Sequence, residues 1–219
     1  RPEENKRYYL EEETRPNQLF QIDEDEHGTY IMNSRDLCLL PRLNEILPVG
    51  INSFKIEGRN KSEYYAAVTA RSYRKAIDDW FKDPKSWKPD EYMEELMTLQ
   101  SRGYTVGFLD GNAGPQAQNY DEPGSQGEWR FVGVVRGNKK NCLTIEVKHK
   151  IEPDMTLWGL SPKEFKPIQI KVKKLFNTQN GYPVATVSAG SIGQLVDIEV
   201  SKSILSKLPE LSVLRLKEK

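Results

Sequence analysis

The hydrophobic and polar positions change their period part-way along the chain. Before residue 110 the signals alternate between strand and helix. GTYIMN (28–33) is short, β-branched and aromatic, and predicts a strand. PRLNEIL (41–47) predicts a short helix, with Pro41 in a first turn where its missing N–H costs nothing. In INSFKIEG (51–58), Phe54 and Ile56 alternate with Lys55 and Glu57, which predicts a second strand. Ser62 is a good N-cap for the helix that follows. Ala66, Ala70, Tyr73, Ile77 and Trp80 recur at spacings of four, three, four and three, which predicts the buried face of that helix. Arg71, Arg74 and Lys75 then fall on a solvated face, and Asp83-Pro84 ends the helix. EYMEELMTLQ (91–100) predicts a second amphipathic helix that stops before Gly103.

Beyond residue 128 the period is two. RFVGVVRG (130–137), NCLTIEVKH (141–149), KPIQIKVKKLF (166–176), YPVATVSAG (182–190) and QLVDIEVS (194–201) alternate or run in β-branched residues. Asn180-Gly181 is a strong hairpin signal. Short strands at close spacing predict a small all-β barrel or sandwich, and a barrel would also remove exposed edges. Between the two patterns, DGNAGPQAQNYDEPGSQG (110–127) has almost no apolar periodicity and reads as a linker. The expected organisation is α+β. Residues 1–109 form the tail of a (β/α) barrel, 110–127 a linker, and 128–219 a basic, β-barrel-like accessory domain. Two strand–helix units leave sheet edges open, so the rest of a parent (β/α) barrel is expected as their partner.

Composition sharpens this division. The 219 residues carry no net charge, but residues 1–123 hold 16 Lys and Arg against 23 Asp and Glu, a net −7, and residues 124–219 hold 16 against 9, a net +7. Such a split fits two modules with different partners, or two domains that are merely solvated by opposite patches. No apolar run reaches the roughly 18–20 residues of a membrane span. The charged first residues do not resemble a signal peptide, and two cysteines make no disulfide framework, so a reducing cytoplasmic setting is expected.

Three places could carry chemistry. Glu57, Gly58 and Arg59 fall at the end of the second expected strand, the face where (β/α) barrels build their sites. Glu57 could serve as a general base or position a substrate. Arg59 and Lys61 flank a helix start suited to phosphate or carboxylate. The plainer reading is a Glu57–Arg59 salt bridge. Cys38 lies between a strand and a helix start, where a thiolate is favoured, although a lone cysteine is more often a small buried apolar group. Lys148, Lys150, Lys171, Lys173 and Lys174 are the polar positions of the β module. They form either solvated strand faces or a basic stripe that follows a phosphate backbone. His27 and His149 have no companion ligands and read as surface residues, and Cys142 as core. No GxSxG, HExxH, Walker loop or GxGxxG is present.

The runs DEHGTYIMNSRDLCLLPRLNEIL, INSFKIEGRNKSEYYAAVTARSYRKAID and SRGYTVGFLDG resemble the collagenase-like peptidase family, and within it the tRNA uridine 5-hydroxylase branch. They cover about half of the chain. The β module resembles the C-terminal barrel of the same proteins and, loosely, translation-factor barrels. The resemblance implies an enzyme that hydroxylates uridine at the anticodon wobble position, with this chain as its C-terminal fragment, inactive alone. It implies an iron–sulfur cluster with Cys38 as the last of four cysteine ligands, the other three lying outside this chain. Prephenate is the associated small anion, which Arg59 and Lys61 would suit, and tRNA is the partner of the β module. A peptidase of the same family, or a non-enzymatic RNA- or protein-binding module, are the alternatives.

Overall fold

The computed structural model describes residues 8–13, 15–25, 28–31, 34–111, 117, 119, 127–190 and 193–218. His27, the end of the GTYIMN segment and most of the expected linker lie outside the described residues. Contacts group the chain into two compact units.

One unit comprises residues 1–50 and 100–127. Strands β1 (Tyr8–Glu12), β2 (Arg15–Asp25) and β3 (Gly28–Ile31) form an antiparallel meander, of which the sequence pattern announced only β3. β4 (Asp36–Leu37) runs parallel to β5 (Tyr104–Thr105) in a two-residue ladder. The expected helix at 41–47 is a chain of short turns: a 3-10 turn at Leu40–Arg42, α1 at Leu43–Ile46, and a second 3-10 turn at Leu47–Val49. Gly50, at φ +86°, closes the run in the left-handed conformation that favours glycine. Leu40, Leu43, Ile46 and Leu47 are buried.

The other unit comprises residues 51–99 and 128–219. It contains α2 (Glu63–Lys82) and α3 (Asp90–Leu96), then β6 (Trp129–Lys139), β7 (Cys142–Val147), β8 (Thr156–Leu160), β9 (Ile168–Lys171), β10 (Leu175–Asn177), β11 (Pro183–Val184), β12 (Leu195–Glu199), α4 (Lys202–Lys207) and β13 (Val213–Lys217). Residues 51–58 are not a strand. Alternation over Phe54–Glu57 marks a face but supplies no ladder, and a strand needs a partner for its N–H and C=O groups. The cap at Ser62 is present: its side chain accepts from the Tyr65 N–H. The buried face of α2 is Tyr64, Val68, Thr69, Ser72 and Ala76, rather than the expected Ala66–Trp80 stripe, of which Ala66 and Ala70 are exposed. The expected stripe is the more apolar by sequence, yet Tyr73, Ile77 and Trp80 on it are only half-buried, and the buried stripe includes the small polar Thr69 and Ser72. Only packing against a particular neighbour chooses between them.

Strand order in the β module is β11-β10-β12-β7-β6-β13-β8-β9. The chain itself makes this sheet curl. β9 and β10 are six places apart, about 29 Å in a flat sheet. Yet Val172–Lys174 alone join Lys171 to Leu175, a reach of about 14 Å at most. The concave face holds a continuous core that includes Val132, Leu143, Ile145, Leu157, Ile170, Leu175, Ile198 and Leu214. The result is a curled eight-stranded half-barrel where a closed barrel was expected: among the described residues β9 pairs only with β8 and β11 only with β10. The sequence pattern missed β8, β13 and α4. It also ran β9 and β10 together as one strand, because Lys173 and Lys174 continue an alternation that the ladder does not.

Candidate functional site

Residues 51–62 form an irregular loop laid against the first turn of α2. Tyr65 holds it: the phenol donates to the Glu57 carbonyl at 3.0 Å, and a Cβ added to Gly58 would lie 2.7 Å from the Tyr65 ring. The Lys61 N–H donates to the Gly58 carbonyl at 2.9 Å, and Lys61 Nζ lies 5.4 Å from the Tyr65 ring centroid. The Glu57 carboxylate accepts from the backbone N–H groups of Gly58 at 3.2 Å and Arg59 at 3.3 Å, and stands 3.5 Å from Lys55 Nζ. Its ion-pair partner is therefore Lys55, and the Glu57–Arg59 pair allowed by the sequence does not form. Glu57, Arg59 and Lys61 are all exposed. The loop gathers them at one helix start, and residues 51–58 form no strand whose end would aim them at a common point.

Cys38 is buried, 4% exposed, directly after β4, and its N–H donates to the Thr105 carbonyl at 2.8 Å. The helical turns beyond it are too short to sum a sizeable dipole, so the argument for a helix-stabilised thiolate weakens. Among the described residues no group of three or more His, Cys, Asp or Glu could hold a metal ion. One thiol supplies one ligand, so the residues present do not by themselves fit an iron–sulfur cluster. Cys142 is half-buried, and burial, with the negative charges of Asp197 and Glu199, pushes its thiol above the ordinary range.

The five lysines of the β module divide in two. Lys148 pairs with Glu146 at 2.8 Å and Glu63 at 3.2 Å, and Lys150 with Glu152 at 2.6 Å. Their charge is balanced within the chain. Lys171, Lys173 and Lys174 are exposed, and none is joined to a carboxylate among the described residues. They occupy the seam from β9 to β10 that the curl brings together.

A buried polar cluster that the sequence did not announce ties α2 and α3 to β13. Arg215 Nη1 and Nη2 grip Glu95 at 2.9 and 3.1 Å, and Arg71 Nη1 reaches the same carboxylate at 3.0 Å. Arg71 Nη2 also donates to the carbonyls of Glu164 and Phe165, with its guanidinium 4.8 Å from the Phe165 ring. Arg71, expected on a solvated face, is thus a crossbar to the β module. Tyr64 and Thr98 share a 2.8 Å hydrogen bond, and Arg215 Nη1 donates to both. Burial raises the Tyr64 phenol above its ordinary range. It lowers the Arg71 guanidinium, an effect that the Glu95 carboxylate opposes and the Arg215 charge reinforces. An arginine inside the apolar alternation VLRLK was the available signal.

The chain matches known proteins over most of its length. The model of peptidase family U32 matches residues 4–119, and that of the U32 C-terminal domain residues 127–215. The tRNA hydroxylation protein P of Escherichia coli is 40% identical over 163 residues, 73% of this chain and 35% of that protein. Its namesake from Haemophilus influenzae is 36% identical over 181 residues, 80% of this chain and 38% of that protein. The chain thus spans a little over a third of the length of these relatives. The C-terminal domain of a Geobacillus thermoleovorans protein described as a U32 peptidase aligns with a TM-score of 0.34 at 18% identity, covering 41% of this chain and 92% of that one. With one family model over the first half and its C-terminal companion over the second, the chain belongs to peptidase family U32.

Proposed function

We propose that this chain is the C-terminal portion of a tRNA-hydroxylating enzyme that forms 5-hydroxyuridine at the wobble position of the anticodon, in the cytoplasm, and that the half-barrel contacts the tRNA. The likeness to proteins named for tRNA hydroxylation carries the reading. The unpaired lysines at the barrel seam supply the surface: phosphate binding needs cations not already balanced by carboxylates. Lys171, Lys173 and Lys174 meet that requirement, whereas Lys148 and Lys150 are spent on Glu146, Glu63 and Glu152. Arg59 in the loop before α2 is an exposed cation for a small carboxylate such as prephenate. Cys38 is one ligand of a cluster completed by cysteines of the longer protein.

The test is tRNA binding by the chain across a salt series. Replacing Lys171, Lys173 and Lys174 by Ala should weaken binding and flatten the salt dependence by about 2–3 in log–log slope. The same change at Lys148 and Lys150 should alter the slope little. Binding that ignores salt, or that depends on Lys148 and Lys150 instead, refutes this surface. Peptide hydrolysis by the purified parent, without hydroxylation of tRNA, would decide for the family's peptidase description.

A further inference from the structure

We infer that the tip of the β10–β11 hairpin is a stacking platform for an unpaired RNA base, with Tyr182 as the ring on which the base lies. This rests on the reading that the half-barrel contacts tRNA, and it names the part of the RNA that the module grips.

Tyr182 is 70% exposed, on a short turn at the sheet's open edge. Among the described residues its ring stacks on no other aromatic ring. An exposed ring alone means little. What distinguishes this one is how firmly its backbone is held. The Asn177 side chain accepts from the N–H groups of Gln179 at 2.9 Å and Asn180 at 3.3 Å. The Asn180 side chain accepts from the Tyr182 N–H at 2.9 Å. The Asn177 N–H donates to the Tyr182 carbonyl, and the Gly181 N–H to the Asn177 carbonyl, each at 2.9 Å. Gly181 turns the chain at φ +73°. Five hydrogen bonds thus fix the tip, and a tyrosine has only two side-chain torsions left to order. Binding to it therefore costs little conformational entropy.

The surroundings are cationic. Lys139 Nζ donates to the Thr178 carbonyl at 3.2 Å, which ties the β6–β7 turn to this hairpin. The same Nζ lies 3.7 Å from Asp197, so the charge of Lys139 is balanced within the chain and its part is to tie the two turns together. Lys140, at the β6–β7 turn, is exposed. Lys174 stands three residues before Asn177, which faces Tyr182, so its Cα lies about 11 Å from that of Tyr182. A rigid exposed ring with unpaired lysines in its neighbourhood is the arrangement by which single strands are held, stacking on the base and tracking the backbone. Duplex RNA keeps its bases stacked internally and offers none to such a ring. The occupant is therefore a looped or single-stranded segment.

The experiment measures binding of the whole chain to tRNA, to a single-stranded oligouridylate and to a hairpin-free RNA duplex. Tyr182→Ala should weaken oligouridylate binding about 5- to 150-fold and leave duplex binding unchanged. Tyr182→Phe should bind within about twofold of the parent, because the face and not the hydroxyl is used. If Tyr182→Ala binds oligouridylate as the parent does, or loses duplex binding equally, the platform is refuted while the lysine surface stands. If the parent chain binds no RNA, both readings fall together. A thermal melt of each variant checks folding, and none should shift, since the ring is in solvent.

Discussion

Replacing Glu95 by Gln should be the most damaging single-atom change in the second compact unit. Three guanidinium nitrogens converge on this carboxylate: two from Arg215 at 2.9 and 3.1 Å, and one from Arg71 at 3.0 Å. The side chains of Arg215, Glu95 and Arg71 are 3%, 8% and 12% exposed, so solvent screens the cluster little. Gln keeps the volume and one acceptor, but it removes the anion that two buried cations share and turns an N–H₂ group toward a guanidinium. Deleting one partner of a buried pair costs about 3–5 kcal/mol, mostly because the remaining charge is stranded. With a urea slope of about 2 kcal/mol per M, the midpoint should fall by roughly 1.5–2.5 M at unchanged slope. Arg74→Ala provides the contrast. Its pair with Asp78 is one turn apart on α2, with both side chains at least 60% exposed, and should be worth about 0.5 kcal/mol or less. A loss below about 1 kcal/mol for Glu95→Gln, or one no larger than that of Arg74→Ala, would refute the argument that this cluster clamps the helices to β13.

Two further outcomes follow from the half-barrel. Gly133→Ala places a Cβ 2.5 Å from the Glu146 carbonyl oxygen and 2.7 Å from an Ile145 methyl, so β6 must shift from β7; thermal or urea unfolding should show a loss of about 1–3 kcal/mol, and an unchanged midpoint would mean the ladder has slack. The Glu146 carboxyl is held below the usual carboxylate range by hydrogen bonds from Lys148 and then Arg136. Its stabilisation is present above an unfolded value of about 4.3 and is lost as pH falls through the lower folded value. Glu146→Gln should therefore be less stable than the parent at neutral pH, with the gap narrowing as pH drops below 4; urea titrations at two pH values read this, and a gap that widens in acid contradicts the sign.

How much was legible can be seen residue by residue. Ser62 announced its cap because capping depends on one side chain and the next three residues. Asn180-Gly181 announced a hairpin for the same local reason, and the hairpin forms, with a connection longer than two residues. Phe54–Glu57 misled, since alternation specifies a face and not a partner. Arg71 misled because the loop that it reaches, at Glu164 and Phe165, is more than ninety residues away in sequence. The five lysines looked alike in sequence. Carboxylates from α2 and β7, and from beyond the end of β7, separate Lys148 and Lys150 from the other three.

The sequence by itself determined the change of period near residue 128, the caps and turns, and the family, through motifs that are contiguous in the chain. These depend on neighbours within a few residues, whose spacing is covalent. The tertiary structure decided which stripe of α2 is buried, that Glu95, Arg71 and Arg215 share one buried site, and that the sheet curls so that Val172–Lys174 can span it. Each of these turns on which distant segment arrives to pack or to pair. Burial and ion pairing are properties of that arrival, and no local pattern encodes them.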